Sequence, residues 1–516
     1  MERKCGVLLP ISSLSSPYGI GCFSEEAYRF VDFLEKAGQS YWQILPLGQT
    51  GYGDSPYQSV STFAGNPYFI DLCQLIEKGY LKQEELDAKD FGSDPMYVDY
   101  EKQYQNRYAI LRTAYERSPY SNSGTKRFAA EEAKERQGFE DFIVKNREWL
   151  DDYALYCALK GANQEKAYYD WPKEVRTRKP AALSRARKEL AEEMRFYQFL
   201  QYLFEEQYMR LKEYANERGV EIIGDMPIYV AEDSADVWSH PELFDLDSGG
   251  KPAAVAGCPP DGFSPTGQLW GNPLYRWDYH KKTGYQWWIA RIAHAFHLFD
   301  VVRIDHFRGF DAYYSIPYGN ETAEKGVWLD GPGYALFERV EQALGKQKII
   351  AEDLGFLTDS VYELVKKTGY PGMKVLQFAF DESESSEYLP YQYPRNCVVY
   401  TGTHDNETLL GWYRNTSGHE REFVDRYAMI GHEMGACWQM IRCIFGSVAD
   451  TAIVPLQDYL SLDNHARINQ PSTLGSRNWQ WRMNKGQMSD ELARDMKILA
   501  GTYGRLAKKK ASALEE

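Results

Sequence analysis

The sequence predicts an α/β fold, a (β/α)8 barrel of the TIM type carrying large helical and loop insertions. Three observations lead there. Eight short runs rich in β-branched and other apolar residues end on Gly, Pro or polar groups, segments of helical periodicity separate them, and several of the runs finish on acids. Such runs read as parallel strands buried on both faces, and acids at their ends mark the C-terminal mouth where barrels of this type keep their chemistry. The 516 residues exceed one simple core, so either several domains or one fold with insertions is required.

In chain order the strand candidates are Gly6–Pro10, Tyr41–Leu45, Glu221–Met226, Phe299–Asp305, Lys348–Asp353, Met373–Ala379, Cys397–Gly402 and Thr451–Leu456. Amphipathic spacing predicts helices over Glu25–Ala37, Gln201–Glu217, Tyr285–Leu298 and Tyr334–Leu344. The whole chain, 1–516, is thus expected to be one catalytic barrel. Between the second and third strands the pattern from Gln83 to Ala191 is charged and helical, so residues 72–200 are expected as an inserted, mainly helical subdomain. Residues 232–282 carry Pro241, Pro252, Pro259, Pro260, Pro265 and Pro273 among many glycines, which disfavours helix and predicts a loop-rich insertion after the third strand. Within it, Ala256–Pro273 is expected to form a lid over the mouth. Beyond Leu456 a helical region interrupted at Trp479–Trp481 is expected.

Composition narrows the partners. Lys and Arg total 59 against 74 Asp and Glu, a net charge of −15 that disfavours nucleic acid and anionic membrane as partners. Aromatic residues make up 15%, with 39 Tyr and 13 Trp, which suits flat, partly polar ligands. The eight cysteines show no Cys-x-x-Cys and no zinc-ligand spacing, and Cys5, Cys73 and Cys397 sit in apolar contexts, so they read as reduced, buried thiols of a cytoplasmic protein. The apolar run before Pro10 is too short for a signal peptide, and no later run is long enough to span a membrane.

The strand ends supply the chemistry. The third run ends on Asp225, the fourth on Asp305 and the fifth on Glu352 and Asp353, while the seventh is followed by Thr403-His404-Asp405-Asn406. Arg303, two positions before Asp305, shares its face and can hold it ionised. An isolated Arg-x-Asp is equally an ion pair of a barrel layer. Four strands converging on acids, however, repel one another unless the site uses them. A divalent-metal site and glycosyl transfer through paired carboxylates both use such a ring. Arg303 opposes a metal, and the aromatics Tyr52, Tyr57, Phe263, Trp270, Tyr275 and Trp277 near the strand ends favour sugar, though each is individually open to a packing role.

Six motifs then carry a specific resemblance: Arg303–Gly309 (RIDHFRG), Ile350–Gly355 (IAEDLG), Thr403–Asn406 (THDN), Gly224–Val230 (GDMPIYV), Tyr52–Tyr57 (YGDSPY) and Gly271–Trp277 (GNPLYRW). With Ser12–Gly19 and Gly475–Trp479 at its ends, the sequence resembles the 4-α-glucanotransferases known as amylomaltases or disproportionating enzymes, over nearly its whole length. That family resembles the α-amylases at its strand-end motifs but lacks their C-terminal β-sandwich, and none is expected here.

The resemblance implies transfer of α-1,4-glucan segments between maltooligosaccharides by a retaining double displacement. In it Asp305 matches the nucleophile that forms a glucosyl ester, Glu352 the acid/base, and Asp405 a third acid that binds hydroxyls and distorts the ring. Tyr57, Asp225, Arg303 and His404 match groups around the donor sugar, and Asp261, Gln268 and Trp270 match acceptor-side contacts on a mobile loop. No metal or organic cofactor is implied. The implied partners are maltooligosaccharide and α-glucan donors and acceptors, with monomer and homodimer both open. The acids alone are shared with an α-glucan hydrolase of the same architecture, and a silent glucan-binding protein is the third reading.

Overall fold

The computed structural model describes residues 3–51, 53–121, 130–260, 264–355, 357–381, 384–473, 475 and 477–508. Its strands are β1 (Lys4–Leu8), β2 (Tyr41–Gln43), β3 (Glu221–Met226), β4 (Ala254–Cys258), β5 (Gln268–Pro273), β6 (Val301–Ile304), β7 (Ala312–Pro317), β8 (Val327–Asp330), β9 (Ile349–Ala351), β10 (Gly372–Val375), β11 (Cys397–Tyr400) and β12 (Thr451–Pro455). Eight of them form one parallel sheet in the order β10-β11-β12-β1-β2-β3-β6-β9, and each lies where a strand was expected from the sequence. The edges β9 and β10 meet through Ala351 N–H, which donates to the Pro371 carbonyl at 2.9 Å, and through Met373 N–H, which donates to Asp353 Oδ1 at 2.6 Å. The sheet thereby curls into a barrel.

Alternation along the strands sorts the side chains. Leu8, Tyr41, Ile223, Val301, Ile350, Met373, Val398 and Ile453 meet inside the barrel, whereas their neighbours Val7, Trp42, Ile222, Val302, Ile349, Val399 and Ala452 join the larger core beneath the helices. Counting on by two from the inner residues gives Asp225 after Ile223, Arg303 and Asp305 after Val301, and Glu352 after Ile350. The apolar layer therefore aims these four groups before any loop is considered.

The helices around the barrel follow from ordinary signals. Glu25–Lys36 begins after Ser24, carries Glu25 and Glu26 in its first turn and Lys36 in its last, and buries Ala27, Phe30, Val31, Phe33 and Leu34. Those charges complement the helix dipole, and the spacing gives one apolar face. Between β2 and β3 lie Tyr100–Arg117, Ala130–Ala162 and Pro180–Glu189, followed by Ala191–Glu217, which runs unbroken through residue 200 and back to the barrel.

Two regions depart from the sequence reading. The proline-rich stretch after β3 contributes β4 and β5 to a four-stranded antiparallel sheet, order β5-β4-β7-β8, completed by a hairpin that follows β6. Beyond Tyr459 the chain is mainly irregular, with a 3₁₀ turn at Asn464–Ala466, until the helix Asp490–Thr502. No disulfide pairs the cysteines, and Cys73 is half-buried rather than buried.

The N-terminal end of the barrel is tied by Arg505. Its guanidinium, fully buried, donates to the carbonyls of Phe445, Lys4, Asp450, Ser447 and Ala449 at 2.9–3.4 Å. Burial lowers its pKa to about 10, which still leaves it charged at neutral pH.

Candidate active site

Three neighbouring strand ends build the floor of the mouth. β3 and β6 pair with Asp225 opposite Arg303, and β6 and β9 pair with Ile304 opposite Ala351, so Asp305 and Glu352 follow side by side. Arg303 Nη1 donates to both oxygens of Asp225, at 2.8 and 2.7 Å, and lies 3.1 Å from Asp305 Oδ1. Arg303 and Asp225 are buried. One guanidinium thus bridges a buried carboxylate that anchors it and a second that it presents to the mouth.

Asp305 keeps 27% of its side-chain exposure, toward the opening. Its removal from bulk water pushes its pKa well above the carboxylate range; Arg303 opposes, and Asp225, Glu352 and Asp405 add to the rise. Burial likewise raises Glu352, against Arg303 and two backbone N–H groups. Those groups are His306 N–H, donating to Oε2 at 2.7 Å, and Leu354 N–H, donating to Oε1 at 3.1 Å. The first is aimed by His306 itself, which adopts a left-handed conformation with φ 51°, a strained choice for a non-glycine residue. Two acids whose pKa values are both raised beside one cation titrate as a coupled pair.

The opposite wall comes from the segment after β11. His404 is buried, and its Nε2 lies 3.3 Å from Asp405 Oδ1. Burial lowers the His404 pKa, with Asp405 opposing, so the ring is neutral at neutral pH. Tyr57 stacks on it with centroids 5.1 Å apart and planes 18° apart, and the Tyr57 hydroxyl donates to Asp225 Oδ2 at 2.7 Å. Trp479 adds a tilted ring 5.8 Å from Tyr57. Asp405 is fixed by Asn469 Nδ2, which donates to Oδ1 at 2.6 Å, while Arg467 holds its backbone carbonyl at 2.8 Å. Neither Asn469 nor Arg467 carries a sequence signal; both come from the irregular stretch that had been read as helix.

Toward the antiparallel sheet, Trp270 sets its ring edge-on to His306 at 4.8 Å, and its Nε1–H donates to Gln268 Oε1 at 3.1 Å. The structure therefore gathers Asp305, Glu352, Asp225, Arg303, Tyr57, His404 and Asp405 around one mouth and brings Trp270 and Gln268 to its rim. Asp261, Tyr52 and Phe263 lie outside the described residues. Tyr275 and Trp277 are not at the opening: Tyr275 is buried and donates to the Ile228 carbonyl, and Trp277 stacks on Trp288. Asp353 also leaves the ring of acids, because one step along β9 turns it outward to the seam with β10. Asp458, just past β12, is a buried acid that the sequence reading passed over; it accepts from Thr401 Oγ1 at 2.6 Å and from Leu409 N–H at 2.8 Å, spanning the loop that carries His404 and Asp405.

Barrel, paired acids and aromatic platform together define a carbohydrate-active (β/α)8 enzyme. Comparison with known proteins narrows this class. The glycoside hydrolase 77 family model, described as 4-alpha-glucanotransferase, matches residues 9–489. A 4-alpha-glucanotransferase of Streptococcus pneumoniae is 49% identical over 507 residues, 98% of each chain. One from Thermus thermophilus is 47% identical, covering 98% of this chain and all of its own. Among solved structures, an amylomaltase from Streptococcus agalactiae in complex with acarbose superposes with a TM-score of 0.93 at 39% identity, covering 98% of this chain and 100% of that one. The chain belongs to the 4-alpha-glucanotransferase family.

Proposed function

We infer that this protein is a 4-α-glucanotransferase that moves α-1,4-glucan segments between maltooligosaccharide or starch-type donors and acceptors. The observation that supports this most is Arg303 joining Asp225 to Asp305 while Glu352 follows in register on the next strand. In this reading Glu352 carries the proton and Asp305 is ionised, because the guanidinium contacts Asp305. Asp305 attacks the anomeric carbon and forms the glucosyl ester, and Glu352 gives its proton to the departing oxygen. The same carboxylate then takes a proton from the acceptor hydroxyl, which displaces Asp305, and the second inversion restores the α-linkage. Tyr57 and His404 make the platform under the donor sugar, with Asp405 binding its hydroxyls.

Transfer rather than hydrolysis depends on what covers the ester. Residues 256–273 act as the lid in this reading, with Gln268 and Trp270 on the acceptor side and Asp261 and Phe263 as further members of the same segment. A cytoplasmic setting belongs to the same reading. Among the described residues no helix is long and apolar enough to cross a membrane. Purified protein given maltotriose should release glucose and build a ladder of longer maltooligosaccharides while total reducing ends stay nearly constant. A steady rise in reducing ends would make it a hydrolase, and no product at all a binding protein.

A further inference from the structure

Two carboxamides stand between the donor platform and the strand that carries Trp270. Gln58 follows Tyr57, and Asn272 lies on β5 two residues beyond Trp270. Gln58 Nε2 donates to the Trp270 carbonyl at 3.2 Å and to Asn272 Oδ1 at 3.1 Å. Asn272 Nδ2 donates to the Val230 carbonyl at 2.7 Å and to Gln58 Oε1 at 3.3 Å. A carboxamide has two N–H donors and one acceptor oxygen. Each backbone carbonyl demands a donor, so neither amide can flip, and what remains on each is complementary to the other. Asn272 is 4% exposed and Gln58 half-buried, so the Asn272 side of the pair is sheltered from competing water.

The pair joins two parts of the mouth that chain connectivity leaves independent. On one side Tyr57 is bonded to Asp225 and stacked on His404. On the other, Trp270 touches His306, whose N–H holds Glu352. We propose that Gln58 and Asn272 are positioning residues whose reciprocal amide pair sets β5 against the donor platform, so that an acceptor sugar is held over Glu352 and water is kept from the ester. This rests on the transferase reading above. Neither residue touches the reacting atoms, and a merely stabilising role would lower the melting temperature without changing how the ester is partitioned.

The test uses α-glucosyl fluoride as donor, with and without maltose as acceptor. Fluoride release follows ester formation, and product chromatography gives the ratio of transfer to hydrolysis. Gln58→Met removes the amide at similar length, and Gln58→Glu places a carboxylate against the Trp270 carbonyl. Both should raise the KM for maltose by about five-fold or more, the scale of one lost hydrogen bond, and enlarge the hydrolytic share. Fluoride release without acceptor should fall by less than about two-fold, because the donor side stays in place. In a double-mutant cycle with Asn272→Leu, the second substitution should add little to the effect of the first on maltose KM. An unchanged maltose KM in folded Gln58 variants, an equal fall in both half-reactions, or additive effects in the cycle would overturn the proposal. So would failure of both Gln58 variants to fold, which would make the pair part of the folding core. If the unmodified protein yields no transfer products, the transferase reading falls, and the proposal with it.

Discussion

Each of the two central carboxylates has a distinct expected deficit. Asp305→Asn keeps size and removes the nucleophile, so turnover should drop on the order of 10⁴-fold or more, with maltooligosaccharide binding and the melting curve nearly unchanged. Near-normal rates from the folded variant would end the assignment. Glu352→Gln should cost about 10²- to 10⁴-fold on maltotriose but less on α-glucosyl fluoride, whose leaving group needs no proton. With fluoride the ester should accumulate on Asp305 and be seen by mass spectrometry of the quenched protein; equal impairment on both donors without ester would move the acid/base elsewhere. At this scale the inner acids were legible because strand periodicity places them: Asp225 and Glu352 follow inner apolar residues by two, and Asp305 follows Val301 by four, with Arg303 between them. Asp353 was misread for the same cause, since it follows by three. Gln58, Asn272 and Asn469 were illegible, because a polar residue in a loop gives no sign of the distant chain it will meet.

The elements were legible in proportion to their burial. Barrel strands are covered on both faces and read as apolar runs. By contrast Val327, Trp328, Leu329 and Asp330 of β8 are all exposed, and β4 and β5 sit among prolines and glycines that mimic loop composition, so the antiparallel sheet left no pattern to find. Asp458 links two elements, holding Thr401 at the end of β11 and Leu409 at the start of the next helix. Burial raises its pKa to about 7, so the folded protein keeps a proton that the unfolded chain releases near pH ~3.9. The resulting stabilisation is complete below that lower pH and is lost as the pH rises through about 7. Asp458→Asn mimics the protonated form, with its amide donating to the Thr401 hydroxyl. The variant should therefore exceed the parent in stability at pH ~8 by on the order of a few kcal/mol, a gap that closes toward pH ~4. Urea titrations at both pH values measure this; a gap independent of pH would mean that Asp458 titrates normally.

For the molecule as a whole, closure depends on residues far apart in the chain. β1 lies between β2 and β12, and Arg505 gathers the Lys4 carbonyl together with those of 445–450. Arg505→Met removes five bonds from a buried charged donor, although Arg3 still reaches the Phe445 and Ser447 carbonyls and Lys4 N–H the Asp450 carbonyl, so it should cost about 2–3 kcal/mol in urea denaturation while leaving kcat at 25 °C within about two-fold. A loss below about 0.5 kcal/mol, typical of a surface site, would show that water replaces the guanidinium.

The same tie governs the order of events as the chain is made. β1 leaves the ribosome before every other strand of the barrel, and until Thr451–Pro455 has followed it has β2 alone as a sheet neighbour. The nascent chain therefore carries an open, apolar strand edge until its last barrel strand has emerged, and only then can the barrel close.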